Sequence, residues 1–155
     1  MAIDALLKEH LWAETEQIIE ALENTSDRLR EISLLLFNAV PHYNWVGFYM
    51  VGNQPRELVL GPYVGAATEH THIPFGRGIC GQVAEGKQTM VIQDVNTQDN
   101  YLACSLDVQS EIVVPILKGD EFIGELDIDS HDLAPFNADD SRLLEGICQR
   151  LAKVL

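Results

Sequence analysis

The stretch "YLACSLDVQSEIVVP" sets Cys104 shortly before Glu111, the residue that opens an apolar run. A cysteine can be a small buried hydrophobe or, as a thiolate, a nucleophile. A nearby carboxyl can then supply the proton that a departing oxygen needs. A second cysteine, Cys80, lies in "THIPFGRGICGQVAEGK", where Gly76, Gly78 and Gly81 lead into a short helical pattern. At a helix N-terminus the dipole and unpaired N–H groups favour a thiolate or bind an anion. A tight turn with a packed cysteine fits the same spacing. In "EFIGELDIDS" the alternation of a strand puts Glu125, Asp127 and Asp129 on one face and Leu126 and Ile128 on the other. Such a face is either solvated, the usual fate of carboxylates, or a crowded cluster whose members raise one another's pKa. A hairpin partner starting at Glu111 would bring that carboxyl, and the thiol near it in sequence, to the same place.

Other residues give weaker signals. Trp45 and Tyr49 in "HYNWVGFYMV" project to one face of a strand, as core or as the aromatic wall of a small-molecule pocket. His70 and His72 in "HTH" have the look of a metal pair, but no third ligand stands at a recognisable spacing, so no metal and no other cofactor is expected. Cys148, on the apolar side of the last helical pattern, is expected to be buried and inert.

These residues must be held by ordinary elements. "IDALLKEHLWAETEQIIEALENT" spaces Leu7, Leu11, Ile18 and Leu22 as one face of a helix. "TSDRLREISLLLFNAV" predicts a second, capped by Ser26, with Leu29, Ile32, Leu35 and Leu36 as its stripe. Short β-type runs follow, "WVGFYMV", "ELVLGPYV" and "TMVIQDV", then "EIVVPIL" and "EFIGELDID" joined by "KGD" as a hairpin. "FNADDSRLLEGICQRLAKVL" reads as a closing helix, capped by Asn137 or Asp139, that buries Leu143, Ile147, Leu151 and Val154. The expectation is one α+β domain over residues 1–155, a central antiparallel sheet flanked by N- and C-terminal helices. With 24 Asp and Glu against 10 Lys and Arg, a net charge of -14, nucleic acid and anionic membranes are poor partners. The N-terminal "MAIDALLKEH" lacks the features of a signal peptide, and three cysteines with no CxxC do not suggest a secreted disulfide framework, so a cytoplasmic protein is expected.

Taken in order, "NWVGFYMV", "LVLGPYVG", "IPFGRGICG", "YLACSLDVQSEIVVPI" and "IGELDIDS" resemble the free methionine-(R)-sulfoxide reductase family, a stand-alone enzyme branch of GAF domains, from the second helix to the end of the chain. The resemblance implies a GAF-like sheet of about six antiparallel strands. It also implies reduction of free methionine sulfoxide by a cysteine thiolate through a sulfenic acid, regenerated by disulfide exchange or by an external, thioredoxin-like thiol. Cys104 matches the catalytic cysteine, and Cys80 a second, conditionally used one. Glu111, Asp127 and Asp129 match the acids that hold the substrate's sulfoxide oxygen and amino group, and Trp45 and Tyr49 its aromatic wall. The Gly76–Gly81 turn could offer N–H donors to the substrate carboxylate. The sequence also departs from the family. His70 replaces a usual cysteine that forms a disulfide with the catalytic one, Tyr101, Leu102 and Ser105 depart from the usual surroundings of that cysteine, and Ala66 replaces a usual lysine. A GAF sensor that binds a small molecule without turnover, and an interaction domain, remain alternatives, and a homodimer stays open.

Overall fold

The computed structural model describes residues 3–103 and 105–155. Two helices, α1 (Ala5–Ala21) and α2 (Thr25–Ala39), lead into strands β1 (Trp45–Val51), β2 (Glu57–Val64) and β3 (His72–Pro74). Helix α3 (Gly78–Gly86), strand β4 (Met90–Ile92) and the hairpin β5 (Ser110–Lys118) and β6 (Glu121–Ser130) follow, and α4 (Ala138–Ala152) closes the chain. The strands form one six-stranded sheet in the order β3-β2-β1-β6-β5-β4, and every neighbouring pair is antiparallel. The α+β architecture is the expected one; β3, too short to show a period of its own, was not anticipated as a strand.

Helices α1, α2 and α4 start on side-chain caps, whereas α3 starts at Arg77 without one. Asp4 accepts from the Leu7 N–H at 2.8 Å and Asn24 from the Asp27 N–H at 3.1 Å. The cap of α2 is therefore Asn24 and not Ser26, which lies inside the first turn and is exposed. Of the two caps expected for α4, Asn137 is used, in a full capping box with Asp140. The free oxygen of that Asp140 carboxyl accepts a short hydrogen bond from the Tyr43 hydroxyl, which ties the start of α4 to the turn before β1. In α1 the fully buried positions are Leu11, Thr15 and Ile19. Ile18 and Leu22 are only half-buried, and Leu22 is already the C-cap. Thr15 is tolerated inside because its hydroxyl donates back to the Leu11 carbonyl at 2.7 Å. Val154 likewise falls beyond the end of α4 and is half-buried.

The sheet has two differently built faces. On one, Val46, Phe48, Ile112, Val114, Leu126 and Ile128 pack under α1, α2 and α4 in a continuous apolar core. The other carries α3 and a smaller cluster around Trp45, Tyr49, Leu58, Ile79, Val83 and Val113. Alternation along β1, β5 and β6 sends successive side chains to these two faces. The β5–β6 hairpin turns at Gly119, whose φ of +62° is the left-handed value such a tight turn needs. No helix among the described residues is long and apolar enough to cross a membrane.

The large core supplies stability independently of the opposite face. Leu126→Ala, at a site with no exposure, removes side-chain volume from the centre of that core and is expected to cost about 2–5 kcal/mol. Urea unfolding should show a lower midpoint at an unchanged m-value. A loss below about 1 kcal/mol would show that this face is loosely packed.

Candidate active site

The pairing register lines up the site row by row. Across the sheet, Trp45 pairs with Asp129 and Asp129 with Glu111; Gly47 pairs with Asp127 and Asp127 with Val113; Tyr49 pairs with Glu125. All of these face α3. Since β6 lies between β1 and β5, its acids occupy the middle of the sheet, where a covering layer must exclude water. Glu111 is 5% exposed, Asp127 and Asp129 1% each, and Glu125 0%. The face is therefore the crowded cluster and not the solvated one.

Helix α3 lowers Cys80 onto this cluster. Gly78 makes the approach possible, because its φ is +64° and a side chain there would strike Leu102 at 2.9 Å. The Cys80 thiol donates to Asp127 Oδ2 at 3.3 Å, with Glu111 Oε2 at 3.9 Å. Burial, and then the Asp127, Glu125 and Glu111 carboxyls, push the thiol well above its ordinary range. Of the two readings the sequence left open for Cys80, a thiolate at a helix start and a packed thiol, this environment favours the protonated, packed thiol. The dipole's effect is local and modest, while desolvation beside several acids acts on the whole group. Burial also raises Glu125 well above the carboxylate range, with the nearby Cys80 thiol opposing and Asp127 reinforcing the shift. Burial raises Asp127 too, against the pull of hydrogen bonds with Glu111 and Cys80.

Two cavities border these groups. The first is tight, about 10 Å³, and is lined by Tyr49, His70, Ile73, Cys80, Leu102, Glu111 and Asp127 among others, room for about one water molecule. The second, about 250 Å³, is lined by Trp45, Asp129, Ser105, Asp107, Val108 and His131 among others. The structure therefore gathers Cys80, Glu111, Asp127 and Tyr49 in one cavity and puts Trp45 and Asp129 in its neighbour. Leu102 borders the first and Ser105 the second. Cys104, the expected nucleophile, lies outside the described residues.

The walls are cross-linked by hydrogen bonds. Trp45 lies 6.3 Å from Tyr49 and 5.2 Å from Tyr63, ring centre to ring centre, in stacked orientations. Gly47 leaves space for that indole, since a Cβ would stand 2.7 Å from it. The Trp45 indole N–H donates to the Ala66 carbonyl at 3.0 Å and the Tyr49 hydroxyl to the His70 carbonyl at 2.8 Å. His70 Nε2 then meets the Ala103 carbonyl at 3.0 Å. Asn100 fastens the same loop to α3, accepting from the Gly78 N–H at 2.7 Å and donating to the Gly76 carbonyl at 2.7 Å. Gln82 adds a bond from its amide to the Asn100 carbonyl at 3.0 Å. Sequence reasoning missed Asn100 and Gln82; only their polar type in a loop and on a helix start was visible. The two histidines part company: His70 lines the first cavity, while His72 is exposed on β3. In the glycine turn the N–H groups of Gly76, Arg77, Gly78 and Gly81 serve the Gly81 carbonyl, the Pro74 carbonyl, the Asn100 side chain and the Arg77 carbonyl, so any anion contact from this turn falls to the N–H groups of Ile79 and Cys80. On the far face, Cys148 is 1% exposed, and burial pushes its thiol far upward.

The GAF domain model matches residues 17–155 of the chain. Protein YtsP of Bacillus subtilis is 37% identical over 150 residues, covering 97% of this chain and 89% of that protein. Free methionine-R-sulfoxide reductase of Escherichia coli is 38% identical over 127 residues, covering 82% of this chain and 75% of that protein. Among solved structures, free methionine-R-sulfoxide reductase from Neisseria meningitidis in complex with its substrate superimposes with a TM-score of 0.92 at 36% identity, covering 99% of this chain and 92% of that one. The chain belongs to the GAF domain family and, within it, to the free methionine-R-sulfoxide reductase family.

Proposed function

We propose that this chain, acting as one domain over residues 1–155, reduces free methionine-(R)-sulfoxide to methionine, with Cys104 as nucleophile and the acids of β5 and β6 as proton donors and ammonium ligands. The observation that carries the reading is that buried Cys80, Glu111 and Asp127 share one cavity with Tyr49, with no lysine or arginine lining it among the described residues, while Trp45 and Asp129 line its neighbour. Relatives of that name, at 38% and 34% identity, support the substrate. In this reaction the Cys104 thiolate attacks the sulfoxide sulfur while a protonated carboxyl gives its proton to the oxygen. The oxygen passes to cysteine as a sulfenic acid, and methionine leaves with its sulfur reduced. A second thiol converts the sulfenic acid to a disulfide and water, and a thioredoxin-like dithiol in the cytoplasm reduces the disulfide. Cys80 suits this second step poorly, because attack needs a thiolate and its acid neighbours oppose one. External thiol is therefore the main route of regeneration. Sensing without turnover is favoured by one feature, His70 at the position of the family's usual resolving cysteine.

Two outcomes test the roles. Cys104→Ser should lose thiol-dependent consumption of free methionine-(R)-sulfoxide by at least about a thousandfold, an expectation for removal of a nucleophile. In the unmodified protein, substrate alone should leave a sulfenic acid at Cys104 that a dimedone-type probe captures. A linked Cys80–Cys104 peptide as the main product would overturn external regeneration, and full activity in Cys104→Ser would overturn the nucleophile.

The second test concerns Asp127. Loss of a charge-assisted contact costs about 1.5–3 kcal/mol, roughly ten- to hundredfold. N-acetylated methionine sulfoxide, with no ammonium, should fall in kcat/KM by that factor, and Asp127→Asn should fall at least as far on the free substrate. A carboxyl whose folded pKa is raised contributes stability that is present below its unfolded pKa and lost as pH rises through the folded value. Melting temperature should therefore decline with rising pH in the unmodified protein and decline less in Asp127→Asn. Equal rates on both substrates together with superimposable melting profiles would remove Asp127 from both roles.

A further inference from the structure

Three ligand atoms in the first cavity, the Cys80 Sγ and one oxygen each of Glu111 and Asp127, all lie within 4.8 Å of one another and are all buried. The sulfur stands 3.3 Å from Asp127 Oδ2 and 3.9 Å from Glu111 Oε2. In a tetrahedral zinc site, with Zn–S about 2.3 Å and Zn–O about 2.0 Å, sulfur and oxygen are separated by about 3.5 Å. The two observed separations bracket that value. A thiolate with two carboxylates also matches the borderline-soft character of Zn²⁺ better than that of Mg²⁺ or Ca²⁺, which prefer all-oxygen cages.

A second observation points the same way. Glu125 stands two positions from Asp127 on the same strand face, with its carboxyl near the Cys80 sulfur, and it has no exposure. Among the described residues, neither of its oxygens meets hydrogen-bond geometry with a donor, nor does Asp127 Oδ1. A buried acid without a donor is costly, and it is relieved by a proton or by a cation. No lysine or arginine among the described residues lines the cavity. The geometry points to a reversible inhibitory site for a zinc-like divalent cation, held by Cys80, Glu111 and Asp127 with Glu125 beside them. The fourth position faces the cavity between Tyr49, His70 and Leu102 and is left to water. Binding replaces the thiol proton and any proton on the ligating carboxyls of Asp127 and Glu111, all released to solvent, and forms the sulfur–metal and oxygen–metal bonds with no change of oxidation state. The ion occupies the acids that, on the proposed function, receive the substrate, so cation and methionine sulfoxide exclude one another; this competition alone rests on that reading.

The test uses Cys104→Ser, which removes the nucleophile of the proposed function as a competing thiol, and Co²⁺ as a visible stand-in for Zn²⁺. Cys104→Ser should bind about one Co²⁺ per chain with a thiolate-to-cobalt charge-transfer band, and Zn²⁺ should bleach it. Adding Cys80→Ser should abolish the band, and adding Asp127→Asn should weaken Co²⁺ binding at least about tenfold, with circular dichroism reporting that each variant is folded. Should the Cys80→Ser variant not fold, the Asp127→Asn arm decides. Free methionine sulfoxide should raise the apparent Kd for Co²⁺, and Zn²⁺ should stop turnover of the unmodified protein until a chelator is added. No band in Cys104→Ser, or a band that survives loss of Cys80, overturns the site. A band that substrate leaves unmoved, in a protein that turns over, overturns the competition and leaves the cation site. A band in a protein without any turnover supports the cation site and counts against the reductase.

Discussion

Most of this molecule's design follows from putting acids on the inner face of the sheet's central strand. Glu125, Asp127 and Asp129 occupy alternate positions of β6, with Glu111 facing Asp129 on β5, and none is more than 5% exposed. An ionised carboxylate moved out of water costs several kcal/mol unless something compensates. Here burial pushes Asp127 and Glu125 toward their protonated forms, and the Cys80 thiol donates into the group. The same protons are what a sulfoxide oxygen would need. A face that is uncomfortable in the resting protein is thereby matched to a ligand carrying both a positive group and a proton acceptor.

Such a face can be maintained only if the rest of the fold is stable without it. The division between the two sides of the sheet does this. Leu126 and Ile128 alternate with the acids along β6 and enter the apolar core under α1, α2 and α4, both with no exposure. The Asp140 carboxyl, by accepting from Asn137 and from Tyr43, locks the start of α4 to the turn that leads into β1. Strand β1 then delivers Val46 and Phe48 to the core and Trp45 and Tyr49 to the site. One strand thus transmits the rigidity of the large core to the aromatic wall.

The elements were largely legible because their periods are strong. The face shared by Glu125, Asp127 and Asp129 follows from alternation alone, and the β5–β6 hairpin from the turn at Gly119. Alternation, however, names a face and not what covers it. The cover here is α3 and the loop fastened by Asn100, which has no period to read. For the same reason the charge state of Cys80 was not legible: the helix start is written locally, whereas the acids beneath it arrive from strands distant in sequence. The cap at Asn24 and not Ser26 is a matter of where the chain leaves extended backbone, and both residue types cap well. The family resemblance named Trp45 and Asp129 together with Tyr49 and Asp127, but it carried no information on their division between two adjoining cavities.

His70 shows how one position can be asked to do two things. Its ring nitrogen meets the Ala103 carbonyl, which can only accept, so Nε2 carries the proton and donates. Its own carbonyl accepts from the Tyr49 hydroxyl. A continuous path of hydrogen bonds therefore runs from the aromatic floor on β1 to the residue immediately before Cys104. A cysteine at position 70 would keep the backbone bond to Tyr49 but lose the reach of the imidazole, because its side chain is shorter and its S–H is a weak donor. In exchange it would offer a thiol able to form a disulfide. Imidazole and thiol thus serve different steps: the first holds the loop during chemistry on the substrate, and the second reduces the enzyme afterwards. With His70 the loop contact is kept and, on the proposed function, the reducing step is left to a thiol from outside. That arrangement agrees with a Cys80 which its acid neighbours hold neutral, so the two departures from a self-resolving enzyme reinforce each other.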